Sequence, residues 1–363
     1  MTRLGTVPPT MLALRAEPGS DTPHLAKVPV PEPGPFDVLV EVAAAGLAPG
    51  MLRLLARGAF KRLPTTLGHE GAGTVVAAGE RVSTPVVGQR VRVHANLTCR
   101  ACTYCRTDRE MMCPEQAMIG HAAFSEGPTP LYDAYHDGCL AEYVRVPYWQ
   151  VDPLPDAVGF DLGAKVHDLA NAMRALKSAA PSPGATVVIT AATGTMGTAT
   201  IKLAPVFGVG RLVLVGRDAG RLDAVRHLAG DVPVETVPVT EETDLTARLR
   251  PLAPEAVIDF TPEGPVLTQA AAALATGGTL VHMGGNPAPL SLPARVWMAK
   301  CLRLVGTRSC TRTDALEVLA LLDSGVLAAD ELITHRFPLS EARRALAATR
   351  NRAEPIWMAV VNP

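Results

Sequence analysis

A chain of 363 residues, 48% of them hydrophobic, is long enough for two domains with full cores, while a net charge of −1 and the lack of any Lys/Arg run argue against nucleic acid or an acidic membrane as partner. No stretch reaches the roughly 18 uninterrupted apolar residues of a membrane helix, and the first 30 residues lack a basic start followed by an apolar core. A cytoplasmic protein acting on a small molecule is expected.

Taken in order, short alternating or β-branched stretches at 11–15, 38–45, 71–78 and 90–93, separated by Pro and Gly, predict a compact β-barrel-like domain. Pro29, Pro31, Pro33 and Pro35 exclude helix between the first two and predict an extended surface segment. Met51, Leu54 and Leu55 predict a short helix that ends near Gly58.

Four of the seven cysteines fall within fifteen residues, as Cys99, Cys102, Cys105 and Cys113. Such clustering speaks for a metal in a reducing compartment rather than a disulfide framework. The C-x2-C-x2-C-x7-C spacing on a looping lobe can close a tetrahedron of thiolates around Zn²⁺ and leave no open position, which predicts a structural zinc. Cys139, Cys301 and Cys310 read as ordinary buried thiols. Residues 114–136, with Pro114, Pro128 and Pro130, read as an irregular loop over a cleft, and a turn and strand resume over 137–144.

Leu162, Val166, Leu169, Met173 and Leu176 fall on one helical stripe. The following run, 185–217, reads as strand, glycine turn, helix and second strand. Val187 to Thr190 suit a strand covered on both faces, and helical spacing resumes from Thr198. The turn Ala192-Thr193-Gly194-Thr195-Met196-Gly197 matches the dinucleotide fingerprint G-x-G-x-x-G with alanine in the first position. It would aim the first N–H groups of a helix at a pyrophosphate. The second strand ends in Gly216 and Arg217, with Arg221 one helical turn on. A glycine leaves room and an arginine can pair with a 2′-phosphate, which favours NADP(H) over NAD(H). The other reading makes Asp218 the carboxylate that binds the ribose hydroxyls of NAD(H). Strands at 256–259, 279–283 and 303–305, alternating with helices, complete a doubly wound sheet of about six strands. The rest reads as helix, strand, helix and a final strand over 357–361.

These residues together carry a resemblance to the medium-chain dehydrogenase/reductase superfamily, in its zinc-containing alcohol dehydrogenase branch. It rests on Gly68-His69-Glu70-Gly71-Ala72-Gly73, the cysteine lobe, Asp137-Gly138 through Glu142-Tyr143, the glycine turn, Gly277-Gly278, and Phe337 through Ala342. The resemblance implies an α/β chain with a GroES-like β-barrel catalytic domain over 1–157, completed by 309–363. A Rossmann domain over 158–308 would carry the doubly wound parallel sheet, with the active site in the cleft. It also implies a homodimer or homotetramer.

The same resemblance implies a catalytic zinc held by a cysteine near residue 48, by His69 and by a ligand that falls on His167. This chain has Ala48, Pro49 and Gly50 where that cysteine and a proton-relaying Ser or Thr are expected. Pro205 inside the cofactor helix and Trp357, where many relatives place an Arg, are further departures. The expected function is an NADP(H)-dependent oxidoreductase with a structural zinc and no catalytic one. It would reduce an activated C=C or C=N bond with His69, Glu70, His167 and Asp168 as candidate catalytic groups and Asn171 on the same helix. The alternatives are a zinc-dependent alcohol dehydrogenase or carbonyl reductase with rearranged ligands, and a catalytically silent nucleotide-binding protein.

Overall fold

The computed structural model describes residues 2–3, 5–351 and 353–363. The chain divides into two compact units, Met1–His167 with Thr311–Pro363, and Asp168–Cys310. The first division falls inside the helix Phe160–Ala179 rather than ahead of it, where the sequence placed it. The first turns of that helix belong to the barrel: Gly163 lies against Leu154 and Ala72, and Asp161 accepts a hydrogen bond from Arg336 at 2.5 Å.

The strand Asp37–Gly46 organises the first unit. It pairs antiparallel with Gly71–Ala78, Tyr143–Pro147 and Met358–Asn362, and most of its residues are buried. The main sheet runs Val151–Pro153, Arg90–Val93, Gly71–Ala78, Asp37–Gly46, Met358–Asn362, Ile333–Pro338, so the end of the chain closes the barrel-like domain. A smaller sheet joins His24–Pro29, Thr10–Ala16 and Thr65–Thr66. His24–Pro29 was not predicted. It is an edge strand, largely exposed or half-buried, so its sequence has no need of an apolar face.

The second unit is a sheet of six parallel strands in the order Val234–Pro238, Arg211–Gly216, Thr186–Thr190, Ala256–Asp259, Thr279–His282, Arg303–Gly306. The strand order reverses direction beside Thr186–Thr190, the place where open α/β sheets bind ligands.

Several expectations need correction. Residues 114–136 are not wholly irregular: Ala117–Met118 pairs with Asn96–Leu97, and Pro130–Ala134 forms a helical turn, with Pro at its start where no N–H is needed. The cofactor helix is Thr195–Leu203, so it begins three residues before the predicted start and stops before Pro205. Pro205 instead opens the 3-10 turn Ala204–Phe207, because a proline inside the helix would remove a hydrogen bond and clash with the preceding turn. Cys301 is exposed rather than buried. It caps the helix Ala294–Lys300, which has no buried residue, with a left-handed φ of 52°.

Candidate active site and metal centre

In the second unit, the turn after Thr186–Thr190 runs straight into the helix Thr195–Leu203, whose N-terminal residue Gly194 gives no side-chain cap. A Cβ on Gly197 would lie 2.5 Å from the Ala192 carbonyl oxygen, so only glycine lets this helix sit against its turn. Ala192, Thr193, Gly194, Thr195, Met196 and Gly197 thus form a close-packed strand-to-helix corner. At the end of the neighbouring strand, Gly216 is half-buried and Arg217 exposed. Asp218 caps the next helix, its Oδ1 accepting the Arg221 N–H at 2.8 Å.

The sheet's carboxyl end also holds a network that sequence reasoning missed. Buried Asp259 accepts hydrogen bonds from Thr190 at 2.5 Å, Thr261 at 2.8 Å and His282 Nδ1 at 2.7 Å. The Asn286 N–H donates to His282 Nε2 at 3.2 Å, which fixes the proton of that ring on Nδ1.

In the first unit, three glycines bring histidines together. A Cβ on Gly120 would stand 2.5 Å from the Gly68 carbonyl oxygen, and one on Gly138 2.1 Å from the same atom. Their backbones can therefore touch, and the residue after each of the first two is a histidine. His69 and His121 meet edge-on at 4.6 Å between ring centroids, and His167, from the helix Phe160–Ala179, meets His69 edge-on at 5.1 Å. All three are buried. Burial, with Lys165 adding repulsion, lowers His69 to about 3. Burial also holds His121 and His167 well below the usual histidine value. All three rings are neutral near pH 7. His121, flanked by Phe60 and Phe124, was not predicted, because nothing in its local sequence marks it.

Glu70 is fully buried and faces Lys165, whose Nζ lies 2.5 Å from Oε2 and 3.4 Å from the Leu47 carbonyl oxygen. A Cβ on Gly46 would collide with Glu70 Oε2 and with Lys165 Cδ, at 2.0 and 2.9 Å, so glycine at 46 makes room for the pair. Glu70 Oε1 is turned towards His69 Nε2 at 3.6 Å and has no hydrogen-bond partner among the described residues. The burial of Lys165 is not marked in the sequence, since a lysine in an amphipathic helix reads as solvent-facing. Asp168, next to His167 on the helix, is buried and falls in the second unit.

The cysteine lobe fits a zinc ion. Sulfur–sulfur distances are 3.6 Å for Cys99–Cys113 and Cys102–Cys105 and 3.9 Å for Cys99–Cys105. Four thiolates about 2.3 Å from Zn²⁺ would stand about 3.8 Å apart at the corners of a tetrahedron. Backbone N–H groups of Cys99, Cys102, Cys105 and Glu115 point at the sulfurs from 3.3 to 3.5 Å, as outer-shell donors to thiolates do. Among the described residues this is the one group of three or more His, Cys, Asp or Glu whose ligand atoms all lie within 4.8 Å of one another.

Two family models match the chain, the alcohol dehydrogenase GroES-like domain over residues 34–156 and the zinc-binding dehydrogenase over 195–324. The chain belongs to the medium-chain dehydrogenase/reductase superfamily, in its zinc-containing alcohol dehydrogenase-like branch, and is an oxidoreductase. It is 28% identical to sorbitol dehydrogenase of Bombyx mori over 92% of this chain and 94% of that one. It is 26% identical, at a TM-score of 0.83, to the structure of a putative zinc-binding dehydrogenase from Sinorhizobium meliloti 1021 bound to NADP, over 98% and 99% of the two chains. The structure of the short chain alcohol dehydrogenase (rspB) of Escherichia coli CFT073, complexed with NADH, shares the fold at a TM-score of 0.85 and 22% identity, over 98% and 100%.

Replacing Cys105 with Ser should release the zinc and lower the melting temperature, since binding energy at a closed site is folding energy. Metal analysis alongside thermal unfolding checks this, and a variant without zinc but with wild-type stability would contradict it. A second outcome follows from the neutral histidines. Their pKa values are lower in the folded chain than the ordinary 6.5, so the unfolded chain binds more protons below that pH. Their contribution to stability is present above about pH 6.5 and is lost as the pH falls towards 3. The melting temperature should drop between pH 7 and pH 5, and a flat or rising profile would show that the rings are not held neutral.

Proposed function

We propose that the protein is an NADP(H)-dependent reductase that reduces a small activated C=C or C=N bond without a catalytic zinc. On this reading the zinc it carries is the structural ion of the cysteine lobe. The observation that carries the reading is the set of donors around His69. The adjacent carboxylate is paired with Lys165, and Ala48, where the resemblance places the cysteine ligand, ends in a methyl group.

Bound at the turn of the second unit, the reduced nicotinamide would supply a hydride, two electrons and a proton's mass in one step. The protein must then stabilise the negative charge that arrives on the acceptor. A ring lowered to about 3 is not an imidazolium at neutral pH, so His69 acts as a neutral N–H donor and not as a proton source. A neutral donor suits an acceptor that spreads its charge, such as an enone, whose enolate then takes a proton from solvent. An unconjugated ketone would leave a localised alkoxide that calls for a stronger electrophile.

Gly216 and exposed Arg217 support NADP(H), as does the engagement of the Asp218 carboxylate in capping a helix. A homo-oligomer is supported by the outermost strand Arg303–Gly306, where Leu304 is 55% exposed, and by Met298 nearby in sequence at 75%. The second reading, a polyol or alcohol dehydrogenase with a rearranged zinc site, draws on the name of the silkworm relative and on the edge-on contacts of His69 with two other imidazoles. Metal analysis separates the two: about one zinc per chain accords with the first reading and two with the second.

NADPH should bind at least about tenfold more tightly than NADH, because a charge-assisted contact to the 2′-phosphate contributes roughly 1.5–3 kcal/mol. Fluorescence titration of both cofactors measures this, and equal affinity would assign the ribose to Asp218. His69→Ala and His167→Ala should each lower turnover about 10²–10³-fold with NADPH affinity little changed, the usual cost of losing one donor to a developing oxyanion. Turnover within a few fold of wild type in both variants would remove these histidines from the mechanism.

A further inference from the structure

We infer that Lys165 stands in for a metal ion: its tethered ammonium supplies the positive charge that balances Glu70, and so keeps a divalent cation out of the His69 cluster. The inference rests on the zinc-free reading above and explains how the chain maintains it. Glu70 and Lys165 have no solvent-exposed side-chain surface, and Nζ lies 2.5 Å from Oε2. A carboxylate buried this completely needs a partner cation. In a buried cluster of imidazoles and one carboxylate, that cation could be a metal or a protein side chain, and here it is an ammonium reaching in from the helix Phe160–Ala179.

The packing shows that the lysine is built into the site. Any side chain at Gly46 would strike both Glu70 Oε2 and Lys165 Cδ. The ammonium also lies 3.4 Å from the Leu47 carbonyl oxygen, one residue before Ala48. The loop that lacks the metal-binding cysteine is thus the loop that the lysine contacts. With Lys165 in place the charges of Glu70 and Lys165 cancel. A dication entering beside His69 would gain no net negative charge from Glu70 and would feel the ammonium at short range through a medium of low dielectric constant. The absent thiolate and the present ammonium are then two separate barriers to metal binding. Restoring the cysteine alone removes only the first.

The test is a Zn²⁺ titration of the full-length protein with its cysteine lobe already loaded, in competition with a chromophoric chelator. The variants are Ala48→Cys, Ala48→Cys with Lys165→Met, and Ala48→Cys with Lys165→Arg. The second zinc should bind at least about tenfold more tightly to the Met variant than to Ala48→Cys alone, given one unit charge removed from a buried site. The Arg variant, which keeps the charge, should resemble Ala48→Cys alone. If Lys165→Met does not fold, Lys165→Gln keeps a hydrogen-bond donor to Glu70 without the charge and should show the same gain. Equal zinc affinity with and without the positive charge would overturn the role given to Lys165 while leaving the zinc-free reading in place. Wild-type protein that carries a second tightly bound zinc would overturn the zinc-free reading itself.

Discussion

A carboxylate cut off from water must be neutralised, and the ion pair of Glu70 with Lys165 meets that demand at the centre of the barrel unit. Much else is arranged around it. Gly46 ends the central strand without a side chain so that the pair can fit, and the helix Phe160–Ala179 begins inside the barrel because its first turns deliver Lys165 and His167 there. His69 is kept neutral mainly by burial and additionally by the nearby ammonium. Removing one partner of such a pair costs roughly 3–5 kcal/mol, whereas replacing both with apolar groups is often neutral. Stability alone does not explain a buried pair beside a cluster of histidines.

A second charged network ties the cysteine lobe to the same unit. Glu110, between Cys105 and Cys113, accepts hydrogen bonds from His94 Nε2 at 2.9 Å and from the Arg312 backbone N–H at 2.7 Å. Asp152 takes Arg92 Nη2 at 2.5 Å and Arg312 Nε at 2.6 Å, and Arg312 also donates to the Trp149 and Val151 carbonyls. Arg312 stands where the chain re-enters the unit, and its backbone N–H holds the lobe while its guanidinium holds the barrel, so lobe, barrel and C-terminal segment meet on one residue. A zinc that shapes the lobe would therefore also place Glu110, and through it the start of the C-terminal segment.

The legible parts of the sequence were those whose physics is local. The glycine turn, the cysteine spacing and the β-branched strands each state their structure within a few residues, and the six-stranded parallel sheet followed from their alternation with helices. Lys165, His121 and Asp259 were not legible. Each acquires its role from residues distant in sequence: Lys165 from Glu70, His121 from the Gly68–Gly120 contact, and Asp259 from Thr190 and His282. Helical periodicity places a lysine on a helix but cannot say that the segment before the strand Gly71–Ala78 hides a glutamate facing it. Nor does a proline-rich stretch such as 114–136 announce that two of its residues will pair with Asn96–Leu97.

The two carboxylates that matter most for the proposed chemistry illustrate one logic. An acidic side chain at the end of the second Rossmann strand serves NAD(H) by taking the ribose hydroxyls, and one oxygen of Asp218, Oδ1, already takes the Arg221 N–H at the start of a helix. An acidic side chain beside His69 offers a zinc ion net negative charge only if that charge is uncompensated, and Glu70 is paired with Lys165. In both places the residue type alone points towards the commoner chemistry, an NAD-linked zinc enzyme. What supports the proposed chemistry instead is the partner each carboxylate has taken. The partner of Glu70 is also the harder to exchange, because a buried ammonium cannot leave its carboxylate without entering a region that offers it no water, whereas the Asp218 cap is exposed and can be remade by solvent.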